Sequence, residues 1–340
     1  MNTTTSFAFL SLAVCCASAV QAVEFDWAII GNPGNAADTE VANDGTVGYG
    51  SVDYTYRISK TEVTNAQYTE FLNAVAKMDT NSLYSTSMGS STLGGIIRSG
   101  LPGFFTYNVK PDAAGQGPGG SDYAYSDKPV AFVSFFNATR FVNWLENGQP
   151  SGAQGVGTTE VGVYTIGDGV SETRAPSASF FLPSEDEWYK AAYHDATAGT
   201  AGTYFDYPTT TDFLPNNNLP DADTGNSANY GLTNASLSYP LTDVGAYTLS
   251  QSSYGTFDQG GNAWEWTEAV IDGTFRALRG GAWGYSPINL AAATRVNFAT
   301  LPGMEFGEQG FRVASIPEPS TLLLGAMATV GLLMRRRWSS

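Results

Sequence analysis

The sequence predicts a loop-rich folded protein in which a few short helices alternate with short strands, and three observations predict it. Apolar residues make up 42% of the 340 residues and aromatics 13%, enough for a sizeable core and incompatible with global disorder. Gly and Pro number 38 and 16, a high share that still falls short of the ~25–30% of low-complexity chains. Amphipathic segments with capping signatures are few, and long polar stretches separate them. Charged residues are only 14%, against about 25% in an ordinary domain. Acids outnumber bases 32 to 16, giving net −16 with no basic stripe, which excludes nucleic acid as a partner. His194 is the single histidine, and both cysteines, Cys15 and Cys16, sit near the N-terminus. Most His- or Cys-based catalysis is thereby out of reach. No repeat period emerges, which argues against solenoids and propellers.

In chain order, Arg57 to Glu62 reads as a strand leading into a helix. Thr64 and Gln67 form a capping-box pair, and Tyr68, Phe71, Leu72 and Val75 follow at helical spacing. Residues 78–127 lack helical periodicity and contain Ser99, Gly100 and Pro102, so they read as loops and short strands. Val130 to Val133 is predicted as a buried strand. Phe136, Phe141, Trp144 and Leu145 mark a second helix, closed by Gly148. Phe180 to Leu182 reads as a strand. Ser184 with Glu187 caps a third helix that carries Trp188, Ala191 and Ala192 on one face. Residues 195–256 are rich in Asn, Thr and Tyr, with turns at Pro215, Pro220 and Gly225. Short strands are predicted around Trp264, Leu278 and Phe311.

Both ends read as addresses. Residues 1–22 combine a polar start, an apolar run from Phe7 to Val20 and small residues before Ala22, the expected signal-peptidase cut, with Ala19 as the alternative. The n-region has no Lys or Arg, and the other reading of the run is a buried apolar helix. After such a cut the chain has no cysteine, so packing, and a metal if one binds, must replace disulfides. At the other end, Ile316-Pro317-Glu318-Pro319 precedes an apolar stretch from Leu322 to Met334 and then Arg335, Arg336 and Arg337. As a helix this stretch spans about 20 Å, short of the ~30 Å hydrocarbon core, and the arginines mark the cytoplasmic side. The segment resembles the PEP-CTERM sorting signal of Gram-negative bacteria. That resemblance implies export across the inner membrane, processing near Pro317, Glu318 and Pro319 by an exosortase, and release to the envelope or extracellular matrix. A permanent tail anchor is the alternative. Trimmed to residues 23–317, the chain loses three Arg and one Glu, leaving 13 bases and 31 acids, net −18.

Six ordered blocks carry a second resemblance: ISKTEVTNAQYTEFLNAVA, KPVAFVSFFNATRFVNWLENG, FFLPSEDEWYKAAY, FDQGGNAWEWTEAV, ALRGGAWGY and GFRVAS. Together they resemble the formylglycine-generating enzyme, or sulfatase-modifying factor, domain over residues 45–315. The resemblance implies a single compact α+β domain of C-type-lectin-like type, loop-rich, with 78–127 as an insertion. Oxidases of the family bind copper through two cysteines shortly after the GGSW-like block and oxidise a substrate cysteine with oxygen. Copper(I) selects thiolates, and the corresponding stretch here, from Arg279 to Arg295, contains none. Copper is therefore not expected. The ergothioneine-type branch needs a histidine-rich iron site, which one histidine cannot build. The cleft where copper would sit is placed beside Ala282, Trp283, Tyr285 and Arg295.

The resemblance also implies calcium. Carried over residue by residue, its ligands are Asp258, the carbonyls of Gly261 and Ala263, and Glu265; a second site would use Asn229 and the carbonyl of Tyr230, with its distal ligand near Ser236. Six to eight hard oxygens suit calcium. If the block is extended, Trp264 and Trp266 share one face and Glu265 points to the other. A buried glutamate needs a counter-charge, so the competing reading pairs Glu265 with Arg279 or Arg312. His194, at a helix C-terminus, reads as a cationic cap or, less simply, as a general base. Trp144, Trp188, Trp264, Trp266 and Trp283 read as core or as the floor of a sugar site. The chain is thus expected to be an exported, calcium-stabilised binding or matrix protein with a glycan or protein ligand. The alternative is an enzyme acting in the same cleft.

Overall fold

The helices start where the sequence supplies their caps. The computed structural model describes residues 22–232, 238–295 and 300–317; residues 1–21 with Cys15 and Cys16, residues 233–237 with Ser236, and the tail with Glu318 and Pro319 lie outside the described residues. Helix α1 (Asn65–Val75) opens on a full capping box between Thr64 and Gln67 and buries Tyr68, Phe71, Leu72 and Val75. Helix α3 (Phe135–Glu146) follows the N-cap Ser134, and just beyond it Gly148 adopts φ +81°, a conformation open to glycine without a Cβ penalty. Helix α4 (Glu185–Tyr193) has the second complete box, Ser184 with Glu187. The rings of α1 and α3 interlock with the last block: Phe141 lies 5.3 Å from both Phe71 and Phe311, and Tyr68 stacks on Phe141 at 5.9 Å. These rings form the centre of the core.

Around that core lie three small sheets. The largest, in the order β1-β2-β9-β5, joins β1 (Trp27–Ile30), β2 (Tyr56–Ser59), β9 (Ala314–Ser315) and β5 (Phe180–Phe181), all antiparallel. Register puts Ala28, Ile58, Ala314 and Phe181 in one row, and all four are buried. In the alternate row, on the opposite face, Ile29 is exposed, Arg57 and Phe180 are half-buried, and Ser315 is buried against the Arg57 side chain. A hairpin of β3 (Ile96–Ser99) and β4 (Thr106–Val109) packs on α1. The third sheet, β7-β6-β8, comprises β6 (Trp264–Ile271), β7 (Phe275–Arg279) and β8 (Gln309–Gly310), with β8 parallel to β6.

Two expectations are corrected. Val130 to Val133 is buried as predicted but is not a strand. Phe132 has φ +60°, which interrupts an extended run, and the backbone bonds of Val130 and Phe132 go singly to Val63 and Phe306. The 78–127 segment holds, besides its hairpin, the five-residue helix α2 (Thr86–Ser90), too short to show a period.

Removing a cap should be measurable. Ser184→Ala deletes the acceptor for the Glu187 amide (3.1 Å) and is expected to cost about 0.5–2 kcal/mol in denaturant unfolding with an unchanged slope. An unaltered midpoint would show that packing alone fixes the start of α4.

Candidate functional site

The NAWEW block forms the start of β6, and it is covered on both sides: Trp264, Glu265 and Trp266 are all buried. The Trp266 indole donates to Val133 O (2.8 Å). Glu265 is held by Arg312 through Nε (2.5 Å) and Nη2 (2.6 Å), and the Trp188 indole donates to the same carboxylate at 2.7 Å. Of the two counter-charges open to it, Arg312 is the one used. Arg279 faces Glu265 only in backbone register and pairs instead with Glu185 through Nε (2.8 Å) and Nη2 (2.7 Å). Arg312 also donates to Ser59 O, Lys60 O and Phe257 O at 2.9–3.1 Å. Burial acts to lower its pKa, but the Glu265 carboxylate outweighs that and raises it.

Two further carboxylates share this interior. Asp258 accepts from the Gly245 amide at 2.5 Å, and burial pushes its pKa up to about 6. Glu62 accepts from Asn262 Nδ2 at 3.1 Å, while its Oε2 has no hydrogen-bond partner. Burial, then the Asp258 and Glu265 charges, hold Glu62 well above the usual carboxylate range. Three acids thus surround one guanidinium. Buried charge must be paired, neutralised by protons or met by a cation.

The backbone here is tightly wound. Asp258, Gly261 and Asn262 have φ of +59°, +92° and +57°. A Cβ on Gly261 would lie 2.3 Å from Asn229 O, so only glycine fits. The Asn262 carboxamide joins the surrounding loops: its oxygen accepts from Asn229 Nδ2 (3.1 Å) and the Thr242 amide (3.1 Å). Asn229 Nδ2 also donates to Pro240 O at 2.9 Å, and its Oδ1 is buried without a partner. Ala263 is buried within the same block. Among the described residues, no group of three His, Cys, Asp or Glu side chains converges to hold a metal. A cation here would need backbone carbonyls as well. The free oxygens of Asn229 and Glu62 and the surplus of buried carboxylate suit one, although both oxygens of Glu265 are already engaged.

Next to this loop lie the residues expected to form the cleft. The Trp283 amide donates to Asn262 O (3.1 Å), and the Gly231 amide to Tyr285 O (3.0 Å). Trp264 meets Tyr285 edge-on at 5.4 Å, and the Tyr285 hydroxyl reaches Glu308 at 3.3 Å. Burial, then Glu308, raises the Tyr285 pKa. Ala282 is fully buried beneath, whereas Trp283 is half-buried with its Nε1 unpartnered. Arg295 is not aimed at these groups; its guanidinium is engaged by Glu185 (3.0 Å) and Asp44 (3.1 Å). Trp144, Trp188, Trp264 and Trp266 are core, leaving Trp283 as the one block tryptophan partly open to a ligand.

His194 is corrected as well. It is buried between the Tyr254 hydroxyl and Ala201 O, both at 2.9 Å. Burial lowers its pKa, overriding the helix-end field that would favour the cation. Sequence reasoning missed Glu62, Asn262 and Glu308. Asn262 alone leaves a trace, as an Asn preceded by two glycines in a block dense with turn residues.

Residues 32–316 match the family described as Sulfatase-modifying factor enzyme 1-like domain. The chain belongs to this family. Residues 315–337 match the PEP-CTERM protein-sorting motif, so this sulfatase-modifying factor-like chain is an exported protein that carries a signal for exosortase-type processing. Ala22 and Pro317 fall inside the described residues and bracket the folded part. A curated relative is the hercynine oxygenase of Mycolicibacterium smegmatis, 24% identical over 255 residues, which are 68% of this chain and 46% of that protein. The chain thus spans about half the length of the curated relative it matches. Among solved structures, Treponema denticola variable protein 1 aligns with a TM-score of 0.53 and 21% identity, covering 88% of this chain and 97% of that one. CarF aligns at 0.49 and 20%, covering 87% and 99%. The first likeness concerns the fold alone, a loop-rich mixed α/β domain.

The ion pair at the centre of this sulfatase-modifying factor-like domain has a measurable signature. Arg312→Met strands Glu265 in the interior and is expected to cost about 3–5 kcal/mol. The double variant with Glu265→Gln should cost less than the sum of the single changes in denaturant unfolding. Strict additivity would mean that the two groups are not coupled.

Proposed function

We propose that the chain is a binding or matrix protein of the envelope or extracellular space of a Gram-negative bacterium, acting without oxidase chemistry, with a glycan or protein ligand in the cleft beside Trp283. One observation carries this reading: Cys15 and Cys16 are the only cysteines in the chain, so residues 32–316 offer no thiolate to copper(I). One histidine, enclosed by Tyr254 and Ala201, cannot assemble a multi-histidine iron site. What this region does offer is a half-open Trp283 ring, whose N–H is turned inward and buried, with the Trp264–Tyr285 ring pair and the Glu308 carboxylate. Such rings and acceptors suit the apolar faces and hydroxyls of a sugar.

Binding of residues 23–317 to a glycan array, and capture of extracellular protein, test the reading. Trp283→Ala should reduce any binding by tenfold or more without unfolding the domain. Conversion of a cysteine in a sulfatase-type peptide to the aldehyde, with copper and oxygen present and dependent on this protein, would overturn it in favour of an enzyme of the same family.

The same reading includes calcium as a stabilising ion at Asp258, Glu265 and the carbonyls of Gly261 and Ala263, with Asn229 as a donor to a second ion. Its support is the surplus of buried carboxylate and the free Asn229 Oδ1. An ion bound only by the folded state adds about 2.7 kcal/mol at a hundred times its Kd, a rise of a few degrees in Tm for a domain of this size. Calcium should raise the melting midpoint of the wild type and not that of Asp258→Asn. Identical wild-type melts in chelator and in millimolar calcium would leave the Glu265–Arg312 pair as the whole explanation of the block.

A further inference from the structure

The outward row of the four-stranded sheet departs from the polar surface expected of a solvated antiparallel face. Ile29, Arg57, Ser315 and Phe180 are paired across it in register. Ile29 is 67% exposed, and Trp27 and Phe180 are only partly covered. The Trp27 ring lies 6.2 Å from Phe180 and 5.3 Å from Phe25, and with Val23 and Glu24 these rings line an open groove of about 260 Å³. Arg57 covers the Trp27 ring at 4.8 Å and donates to Ser315 Oγ at 3.2 Å. The face is therefore apolar and aromatic, with one cation held over an indole.

Its position gives it a neighbour. Ser315 belongs to this row, and the chain leaves the sheet there, tied once more by the Ile316 amide to Ser179 O (3.1 Å). Six residues, Ile316 to Thr321, separate Ser315 from the apolar stretch that begins at Leu322. Fully extended, they reach about 20 Å. Whatever surface receives Leu322–Met334 lies within that distance of Ser315, which shares its row with Ile29 and Phe180.

We propose that this outward face rests on the lipid bilayer while the tail is still attached, with Trp27, Ile29 and Phe180 in the interfacial region. The proposal rests on the reading that Leu322–Met334 enters the membrane. Tryptophan favours the headgroup level, where an apolar ring and a polar edge are both accommodated. The attraction is apolar: residues 23–317 carry net −18, and Glu24 and Asp26 flank the face, so an anionic surface opposes docking. A zwitterionic bilayer fits it better. The tether supplies a high local concentration, so an interface this small needs no strong affinity of its own.

Vesicles of phosphatidylcholine brominated in the acyl chain test this with residues 23–340, the chain that keeps its tail after the expected cut at Ala22. Trp338 in the tail would also be quenched, so the background is Trp338→Phe. Flotation with the vesicles, lost when residues 318–340 are removed, reports the tail. Quenching of tryptophan emission in the Trp338→Phe chain, abolished by adding Trp27→Phe or Ile29→Asp while flotation persists, is the expected result. Raising salt should leave the quenching unchanged, and adding phosphatidylglycerol should reduce it. Flotation without quenching would overturn the docked face while sparing the tail reading, and failure to float would overturn both. Protection of Trp27 without lipid, rising with protein concentration, would replace the bilayer with a second copy of the chain and also overturn the proposal.

Discussion

The pairing of Glu265 with Arg312 is the constraint on which the rest of the domain depends. Both groups are wholly buried, and burying either alone would cost several kcal/mol. The pair is stable there because every strong donor finds an acceptor. Arg312 reaches Glu265, Ser59 O, Lys60 O and Phe257 O, and Trp188 closes the carboxylate from the other side. One guanidinium thereby fixes β2, the loop before β6, β6 itself and the segment before β9. Removing it would free four pieces of backbone that few sheet bonds hold together.

Few sheet bonds is the general condition of this fold. β5, β8 and β9 are two residues each, so side-chain amides take over the work of ladders. Asn143 donates to Thr159 O and Tyr164 O and accepts from the Tyr164 amide. Asn65 donates to Tyr125 O and Lys128 O. Asn262 joins three loops in the same manner. Buried backbone groups must be satisfied somewhere, and the low charge and high Asn, Gly and Thr content reflect that they are satisfied locally by short polar side chains.

This explains how much was legible in advance. The helices were readable because caps and apolar spacing are local signals: Thr64 with Gln67 and Ser184 with Glu187 behave as their sequence says. For Val130–Val133 the sequence predicts the burial but not the conformation, since the left-handed turn at Phe132 answers to Phe306 far along the chain. The partner of Glu265 could be narrowed to two arginines but not chosen. The choice depends on Glu185, which takes Arg279 and Arg295 from 94 and 110 residues away. His194 differs for the same reason: a helix end argues for charge, and only its tertiary burial shows that the cation is disfavoured, even though the Ala201 carbonyl works the other way. Local chemistry was visible, and choices among distant partners were not.

The place of β9 has a consequence for the order of events in the cell. Its two residues are not at the edge but between β2 and β5, the latest-made strand inserted among earlier ones. The sheet cannot close until residue 315 has crossed to the side where the domain folds, and the sorting motif is already beginning there. Translocation therefore delivers an unfinished chain, and completion of the fold coincides with arrival of the processing signal. A cut even two residues upstream of Ile316 would remove the strand that joins the two halves of the sheet. The geometry makes the folded domain its own ruler: a cut after Pro317 leaves β9 whole, and one before Ala314 does not.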